Sequence, residues 1–194
     1  MGLSEKELVQ KILAGEKAYF ENLISKYQKS IYNLVYRMMG NREDALDLSQ
    51  ETFLKAFSKL ETFDLERPFS PWIHKIAKNL CINQLRKRKA KTIPLSFSDN
   101  EGQEMEREIA DLSTEPGERV LAREKKHEAL KAIDQLPEKY RTVLILRHLN
   151  HHSYEEIGEI LEVPSGTVKT WIYRGRNKLK KYLKESLEYR EGEK

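Results

Sequence analysis

Through the first ninety positions apolar residues recur at three- and four-residue steps, the period of amphipathic helices, and no alternating strand pattern competes. Leu8, Ile12 and Leu13 form a short first stripe. Ser4 and Glu7 stand at capping-box spacing before it, and Gly15 supplies a stop. Phe20, Leu23, Ile24, Tyr27, Ile31, Leu34, Val35 and Met38 predict one long helix closed by Gly40–Asn41. A third helix is expected from about Glu43 to Leu60, with Ala45, Leu48, Thr52, Phe53, Ala56 and Phe57 turned inward. Pro68 and Pro71 flank a turn. A fourth helix begins near Pro71, where proline suits a first turn, and carries Trp72, Ile73, Ile76, Ala77, Leu80 and Leu85.

The pattern then breaks. From Asp99 to Glu118 there are eight acidic residues and one basic residue, with Pro94, Gly102, Pro116 and Gly117 in or beside the stretch. Such a segment has little to bury and reads as a flexible linker. Helical periodicity resumes with Leu121, Ala129, Leu130, Ile133 and Leu136 before Pro137, and with Val143, Leu144, Leu146 and Leu149 after it. The expected fold is all-α: two small helical domains, residues 1–92 and 119–187, joined by an acidic linker at 93–118, with a tail at 188–194.

The sharpest local signal lies in the second block. Ser153–Tyr154–Glu155–Glu156 is a capping box, and Ile157, Ile160 and Leu161 give the helix behind it an apolar side. Gly158 is either exposed or the site of a close helix crossing. Glu162–Val163–Pro164 breaks the chain, and a further helix from Pro164 or Ser165 places Val168, Ile172, Gly175, Leu179 and Leu183 on one face. From Lys169 to Lys184 it holds seven basic residues and no acidic one. A short helix, a three-residue turn and a one-signed basic helix make a helix-turn-helix, the unit that lays its second helix in a major groove. Lys169, Thr170, Tyr173 and Arg174 stand where side chains reach base edges, and Arg176 and the lysines beyond it suit phosphates. A second cationic cluster closes the first block, where five of the six residues from Arg86 to Lys91 are basic. Phe63, Phe69 and Trp72 precede it, and aromatics beside cations are the ingredients of a single-strand site. Trp72 reads as core; Phe63 and Phe69, in a polar proline-flanked loop, are the better functional candidates. His74, Lys75, Lys78, Asn79 and Asn83 are the polar residues of that helix able to meet a strand.

Composition adds limits. The net charge of +4 over 194 residues is small, so the clusters matter more than the total. The single cysteine, Cys81, excludes an internal disulfide and reads as a reduced core thiol. The N-terminus has neither the apolar run of a signal peptide nor, with Lys6 at the sixth position, a myristoylation motif, so a cytoplasmic protein is expected. His148, His151 and His152 lack the further ligands of a zinc site and read as a polar turn. No nucleophile with a base partner and no glycine-rich phosphate loop occurs, so neither catalytic residues, cofactor, metal nor small-molecule substrate is expected.

Four stretches resemble a family. Asp47–Leu48–Ser49–Gln50–Glu51–Thr52–Phe53–Leu54–Lys55–Ala56–Phe57 is similar to region 2.2 of bacterial RNA polymerase sigma factors. Pro68–Phe69–Ser70–Pro71–Trp72–Ile73–His74–Lys75–Ile76–Ala77–Lys78–Asn79 resembles regions 2.3 and 2.4, and Leu136–Pro137–Glu138–Lys139–Tyr140–Arg141 the start of region 4.1. Tyr154–Glu155–Glu156–Ile157, Pro164 to Trp171 and Arg174–Gly175–Arg176 are similar to region 4.2. The matches run in family order over nearly the whole chain. The lack of regions 1.1 and 3 points to the extracytoplasmic-function (group 4) subfamily of the sigma-70 superfamily. Ser49, where valine or alanine is common, and Trp171, where arginine is common, are the departures.

The resemblance implies a non-catalytic subunit that carries core polymerase to promoters. It assigns Asp47, Leu48, Gln50, Glu51, Phe53 and Leu54 to the surface meeting the β′ clamp helices, or to its support, with the β subunit as a further contact. It assigns Phe63, Phe69, Trp72, Lys75, Asn79, Asn83 and Arg86 to capture and opening of the −10 element. Ser165, Thr167, Lys169, Thr170, Tyr173, Arg174 and Arg176 fall to the −35 element. It also implies a membrane-anchored anti-sigma factor as partner, which would hold the chain at the inner membrane face without the chain itself inserting, and a cell-envelope stress regulon. Two rivals remain: a stand-alone repressor or activator, which leaves the Asp47–Phe57 surface without a purpose, and a nucleic-acid enzyme, which lacks a carboxylate metal site.

Overall fold

The computed structural model describes residues 3–91 and 129–191, so the acidic linker lies outside the described residues. All regular elements among the described residues are helical. In chain order they are α1 (Glu5–Leu13), a 3-10 turn (Lys17–Tyr19), α2 (Phe20–Met39), α3 (Arg42–Ser58), a second 3-10 turn (Leu60–Thr62) and α4 (Phe69–Lys91). Then follow α5 (helical residues 129–134), α6 (Glu138–His148), α7 (Tyr154–Leu161) and α8 (Ser165–Glu191).

Local chemistry sets the breaks. Ser4 and Glu7 form the expected capping box: the Glu7 amide donates to Ser4 Oγ at 3.3 Å and the Ser4 amide to Glu7 Oε2 at 2.7 Å. Gly40 ends α2 in the left-handed conformation, φ 79°, which a side chain would strain. Asn41 immediately caps α3, its Oδ1 accepting from the Asp44 amide at 2.8 Å. α4 starts earlier than proline placement suggests, at Phe69, so Pro71 lies within its first turn, where no helical amide bond is lost.

In the N-terminal half α2, α3 and α4 pack on one another, with α1 lying along α2. Leu23, Ile31, Leu34, Val35, Ala45, Ala56, Ile73, Ala77 and Cys81 are wholly enclosed. Ser49 and Thr52 are buried there too, and each hydroxyl donates back to a carbonyl of its own helix, Ala45 at 2.5 Å and Leu48 at 2.6 Å. That return bond is what allows a serine at position 49. Burial pushes the Cys81 thiol up to about 12, which leaves it an inert packing residue.

The C-terminal half is built on α6. Gly175 lets α8 approach it closely: a Cβ there would meet Leu144 and Tyr140 at 3.3 Å. Gly158 is tighter still, because a Cβ would stand 2.8 Å from the Val163 carbonyl oxygen in the turn after α7. The close-packing alternative for Gly158 therefore holds. The two halves also touch, α6 against α2 and α7 against α4.

Gly158→Ala is expected to lower stability by about 1–3 kcal/mol, because its obstacle is backbone that cannot rotate away. Gly166→Ala, which meets nothing within 4 Å, leaves stability unchanged or raises it by up to about 1 kcal/mol. Urea unfolding followed by circular dichroism separates the two.

Candidate nucleic-acid and polymerase interfaces

The helix-turn-helix forms as its caps dictate. Ser153 Oγ accepts from the Glu156 amide at 3.1 Å while the Ser153 amide donates to Glu156 Oε2 at 2.7 Å. α7 ends at Glu162 in a left-handed conformation, φ 60°, and the Val163 amide closes onto the Gly158 carbonyl at 3.0 Å. Pro164 then accepts from the Thr167 amide at 2.9 Å, starting α8. Val168 and Ile172 point into the core, and half-buried Trp171 packs against it, which accounts for an aromatic ring at that position. Lys169, Thr170, Tyr173, Arg174 and Arg176 face outward, with Tyr173 68% exposed; Ser165 and Thr167 are half-buried at the helix start. Thr170 Oγ1 donates to the Gly166 carbonyl at 3.0 Å and Arg176 lies 3.2 Å from His148 Nε2. Lys169 and Arg174 have no ion-pair partner among the described residues, so their charge is available to an anion.

On α3 the predicted polymerase set divides. Asp47, Gln50, Glu51 and Leu54 are exposed, Leu54 at 72%. Leu48 and Phe53 do not join them: both are buried in the helical core and can only support that surface from beneath. Phe57, expected inside, is instead partly exposed, with its ring edge-on to Phe20 at 5.0 Å. Leu46 is exposed as well. Leu46, Gln50, Leu54 and Phe57 stand at steps of four, four and three, a second stripe opposite the inner one. That spacing was available in the sequence; the stronger inner stripe obscured it.

The predicted −10 set divides more sharply. Phe63 and Phe69 are not loop rings open to a base. They are 9% and 2% exposed and pack with half-buried Trp72, ring centroids 5.0–5.5 Å apart, and Phe69 also meets Tyr27. An apolar ring in a polar loop is strongly drawn into a nearby core, and here α4 begins at Phe69 and carries it there. Of the other members Asn79, Asn83 and Arg86 are exposed and Lys75 half-exposed. Asn79, Asn83 and Arg86 line a groove of about 450 Å³ together with Lys78, with Glu162 from the turn after α7, and with Lys55 of α3 and Lys59 at its end, which sequence reasoning missed; Lys75 is not among the lining residues. Four cations and two amides around one groove suit phosphate oxygens and base edges.

His74, Lys78 and His152 depart from expectation together. None is a surface residue: their exposures are 1%, 5% and 2%. The left-handed His151, φ 59°, turns the chain after α6 so that His152 points inward rather than forming a polar turn. The two rings meet edge-on at 4.5 Å. His74 Nδ1 donates to the Ser70 carbonyl at 2.8 Å, and its Nε2 accepts from Asn150 Nδ2 at 3.0 Å. Burial, then the neighbouring His152, pushes His74 down to about 3; burial also lowers His152 against the opposing pull of Glu156. Lys78 and Lys75 reach across to Glu162 at 3.5 and 3.0 Å, and the bond from Lys75 holds the Glu162 carboxyl below its usual range.

Comparison with known proteins decides what this assembly is. Residues 23–91 match the sequence profile of Sigma-70 region 2 and residues 126–179 that of Sigma-70, region 4. The ECF RNA polymerase sigma factor SigW of Bacillus subtilis is 37% identical over 186 residues, 95% of this chain and all of that protein. The chain belongs to the ECF sigma factors of bacterial RNA polymerase. The RNA polymerase sigma-H factor of Pseudomonas aeruginosa is 34% identical, covering 92% of this chain and 93% of its own. Among solved structures, CnrH in complex with the cytosolic domain of CnrY superposes with a TM-score of 0.67 at 22% identity, over 93% of this chain and 97% of that one. The sigma factor RpoE in complex with the anti-sigma factor NepR from Bartonella quintana gives the same score at 23% identity, over 85% and 96%. At such identities the superpositions establish the shared all-α fold. ECF sigma factors are non-catalytic initiation factors, so this sigma factor is not an enzyme. Region 2 spans most of α2 through α4, and region 4 takes in the described part of α5, α6, α7 and the first half of α8.

Phe69→Ala is expected to cost about 3–5 kcal/mol of stability, as for a ring removed from a packed core. Tyr173→Ala should stay within about 0.5 kcal/mol of the parent. Thermal unfolding of both variants tests whether the aromatic loop is structural and the α8 tyrosine free.

Proposed function

We propose that this sigma factor binds core RNA polymerase through the exposed face of α3 and directs it to promoters with two DNA-reading surfaces. The observation carrying this reading is that one chain joins a basic helix-turn-helix to a groove whose cations and amides come from α3, its C-terminal end and α4. A stand-alone repressor needs only the first. In this reading α8 enters the −35 major groove with Lys169, Thr170, Tyr173 and Arg174 toward base edges, Ser165 and Thr167 at the amide-rich helix start, and Arg176 toward phosphate. The α4 groove takes the −10 strand: Asn79 and Asn83 offer hydrogen bonds to bases, Arg86 and, outside the groove on the same helix, Lys75 follow the backbone, and half-buried Trp72 is the one ring of the aromatic set that keeps appreciable exposed surface. Holding an unpaired base there offsets unstacking, which costs a few kcal/mol.

On α3, Asp47 and Glu51 ring a surface whose apolar centre is Leu54. Apolar burial at Leu54 supplies affinity while the carboxylates set partner choice. Contacts reach the β′ clamp helices and, through the C-terminal half, the β subunit. The solved relatives bound to the cytosolic domain of CnrY and to NepR support an anti-sigma factor as the regulatory partner. A membrane-anchored one would hold this chain at the inner membrane face, with a cell-envelope stress regulon as output. No helix among the described residues is long and apolar enough to cross a membrane, so any such placement comes from the partner.

Mixed with core RNA polymerase and a library of promoter duplexes, the chain is expected to give specific run-off transcripts. The Asp47→Ala/Glu51→Ala double variant should lose them while keeping its helical circular dichroism and melting temperature. A chain that binds duplexes by itself yet never associates with core enzyme would make it a repressor or activator.

A further inference from the structure

We propose that α1 is a strap for the −10 surface: Glu5 and Lys6 in its first turn fasten the loop between α3 and α4, together with the aromatic cluster beneath it, and so position that loop for strand opening. The proposal rests on the reading of α4 as the −10 surface. It goes beyond that reading by giving a role to residues that precede the region 2 match at 23–91.

Local chemistry puts both residues in place. The capping box at Ser4 starts α1, so Glu5 and Lys6 stand in its first turn. Leu8, Val9 and Ile12 bury the opposite face. α1 lies against α2 and also against the second 3-10 turn, Leu60–Thr62, which belongs to the loop. The first helix is thus held by its apolar side, and its polar first turn is free to reach for the loop.

Two contacts fasten it. The outer one joins residues sixty positions apart: Lys6 Nζ donates to Glu66 Oε1 at 2.6 Å. The inner one runs through Tyr27, whose hydroxyl donates to Glu5 Oε1, while Lys26 Nζ stands 2.5 Å from the same oxygen. Tyr27 is buried, and burial, then the hydrogen bond to Glu5, push its hydroxyl above the ordinary range, so it stays a donor. Its ring meets Phe69 at 5.5 Å, and Phe69 meets Phe63 at 5.5 Å and Trp72 at 5.3 Å. Contact therefore runs unbroken from α1 to the one aromatic of this cluster that reaches solvent.

The charge of the loop says why it needs holding. It leaves the groove at Lys59 and enters α4 at Phe69. Between them Glu61, Asp64, Glu66 and Arg67 are exposed, three carboxylates against one guanidinium. A net negative loop beside a groove that takes phosphate repels the strand unless its carboxylates are paired or drawn aside. Arg67 Nε lies 3.5 Å from Asp64 Oδ2, and Lys6 draws Glu66 toward α1. Lys6 and Glu66 are both well exposed, and such a pair adds little to folding. What the pair sets is where the loop lies.

The test uses holoenzyme rebuilt from core RNA polymerase and the full chain, on a promoter duplex that the parent transcribes. Permanganate reactivity of unpaired thymines, followed over time, reads strand opening. Lys6→Glu and Glu66→Lys should each slow opening about two- to fivefold, the range that an exposed pair of modest strength allows. Closed-complex affinity and the melting temperature of the chain should stay close to the parent's, and the double variant Lys6→Glu/Glu66→Lys should recover the parent's rate. The sign at Glu66 decides between causes: a new cation on the loop speeds opening if it acts only by attracting phosphate, and slows it if the strap is lost. Tyr27→Phe, which keeps the ring and frees Glu5, should slow opening by a similar factor. A Glu66→Lys holoenzyme that opens as fast as the parent or faster, or a double variant no better than the single ones, overturns the strap; Tyr27→Phe at the parent's rate overturns its inner contact. Asn79→Ala/Asn83→Ala is the reference. If that variant also opens at the parent's rate, the reading of α4 fails and the strap with it; if it alone is slow, the reading stands and only the strap fails.

Discussion

Val143–Leu144–Ile145–Leu146 is an unbroken apolar run, and at about 100° per residue it wraps nearly all the way round α6. A helical turn with no polar side cannot lie on a surface. α7 and α8 cover one flank, with Gly175 permitting the close approach, and α2 covers the other. The helix-turn-helix is therefore positioned by a helix that both halves of the chain help to enclose. Burying a Leu or Ile side chain is worth about 1.5–3 kcal/mol, so this run outweighs any single surface ion pair in the structure.

Polar chemistry then separates into two kinds. The cations of α8 and, Lys78 apart, of the α3–α4 groove are largely exposed and keep their hydration. Arg37, Lys78, His74 and His152 lie in or beside the seam between the halves, where each must be paired or neutral. The histidines answer by losing their proton, and Arg37 and Lys78 by meeting Asp134 and Glu162. A seam of this kind has direction and specificity but modest net strength.

Much was legible in the residue pattern. The capping boxes at Ser4 and Ser153, the stop at Gly40, the three-residue turn at Glu162–Val163–Pro164 and the outward set on α8 all follow from local rules, because caps, turns and helical faces depend on neighbours within four residues. The misplaced residues share another cause. Phe63 and Phe69 were read from their polar, proline-flanked surroundings, yet they fold inward against Trp72 and Tyr27; Leu48 and Phe53 carry the motif of a surface while packing beneath it. A motif names positions along a chain, and which of them point outward is decided by helix phase and by what lies across the core.

The sequence by itself determined the all-α class, the break between two helical blocks, the helix-turn-helix with its cationic face and the family to which these belong, since each rests on periodicity, capping or residue order along the chain. Only the tertiary structure decided that Lys55 and Lys59 join the α4 groove, that Leu46 and Phe57 extend the exposed face of α3, and that Glu162, Asn150 and His152 meet residues on α2 and α4 some eighty to one hundred and twenty positions away. Such meetings arise from burying apolar faces that are far apart in the chain, and no local spacing encodes which faces will find each other.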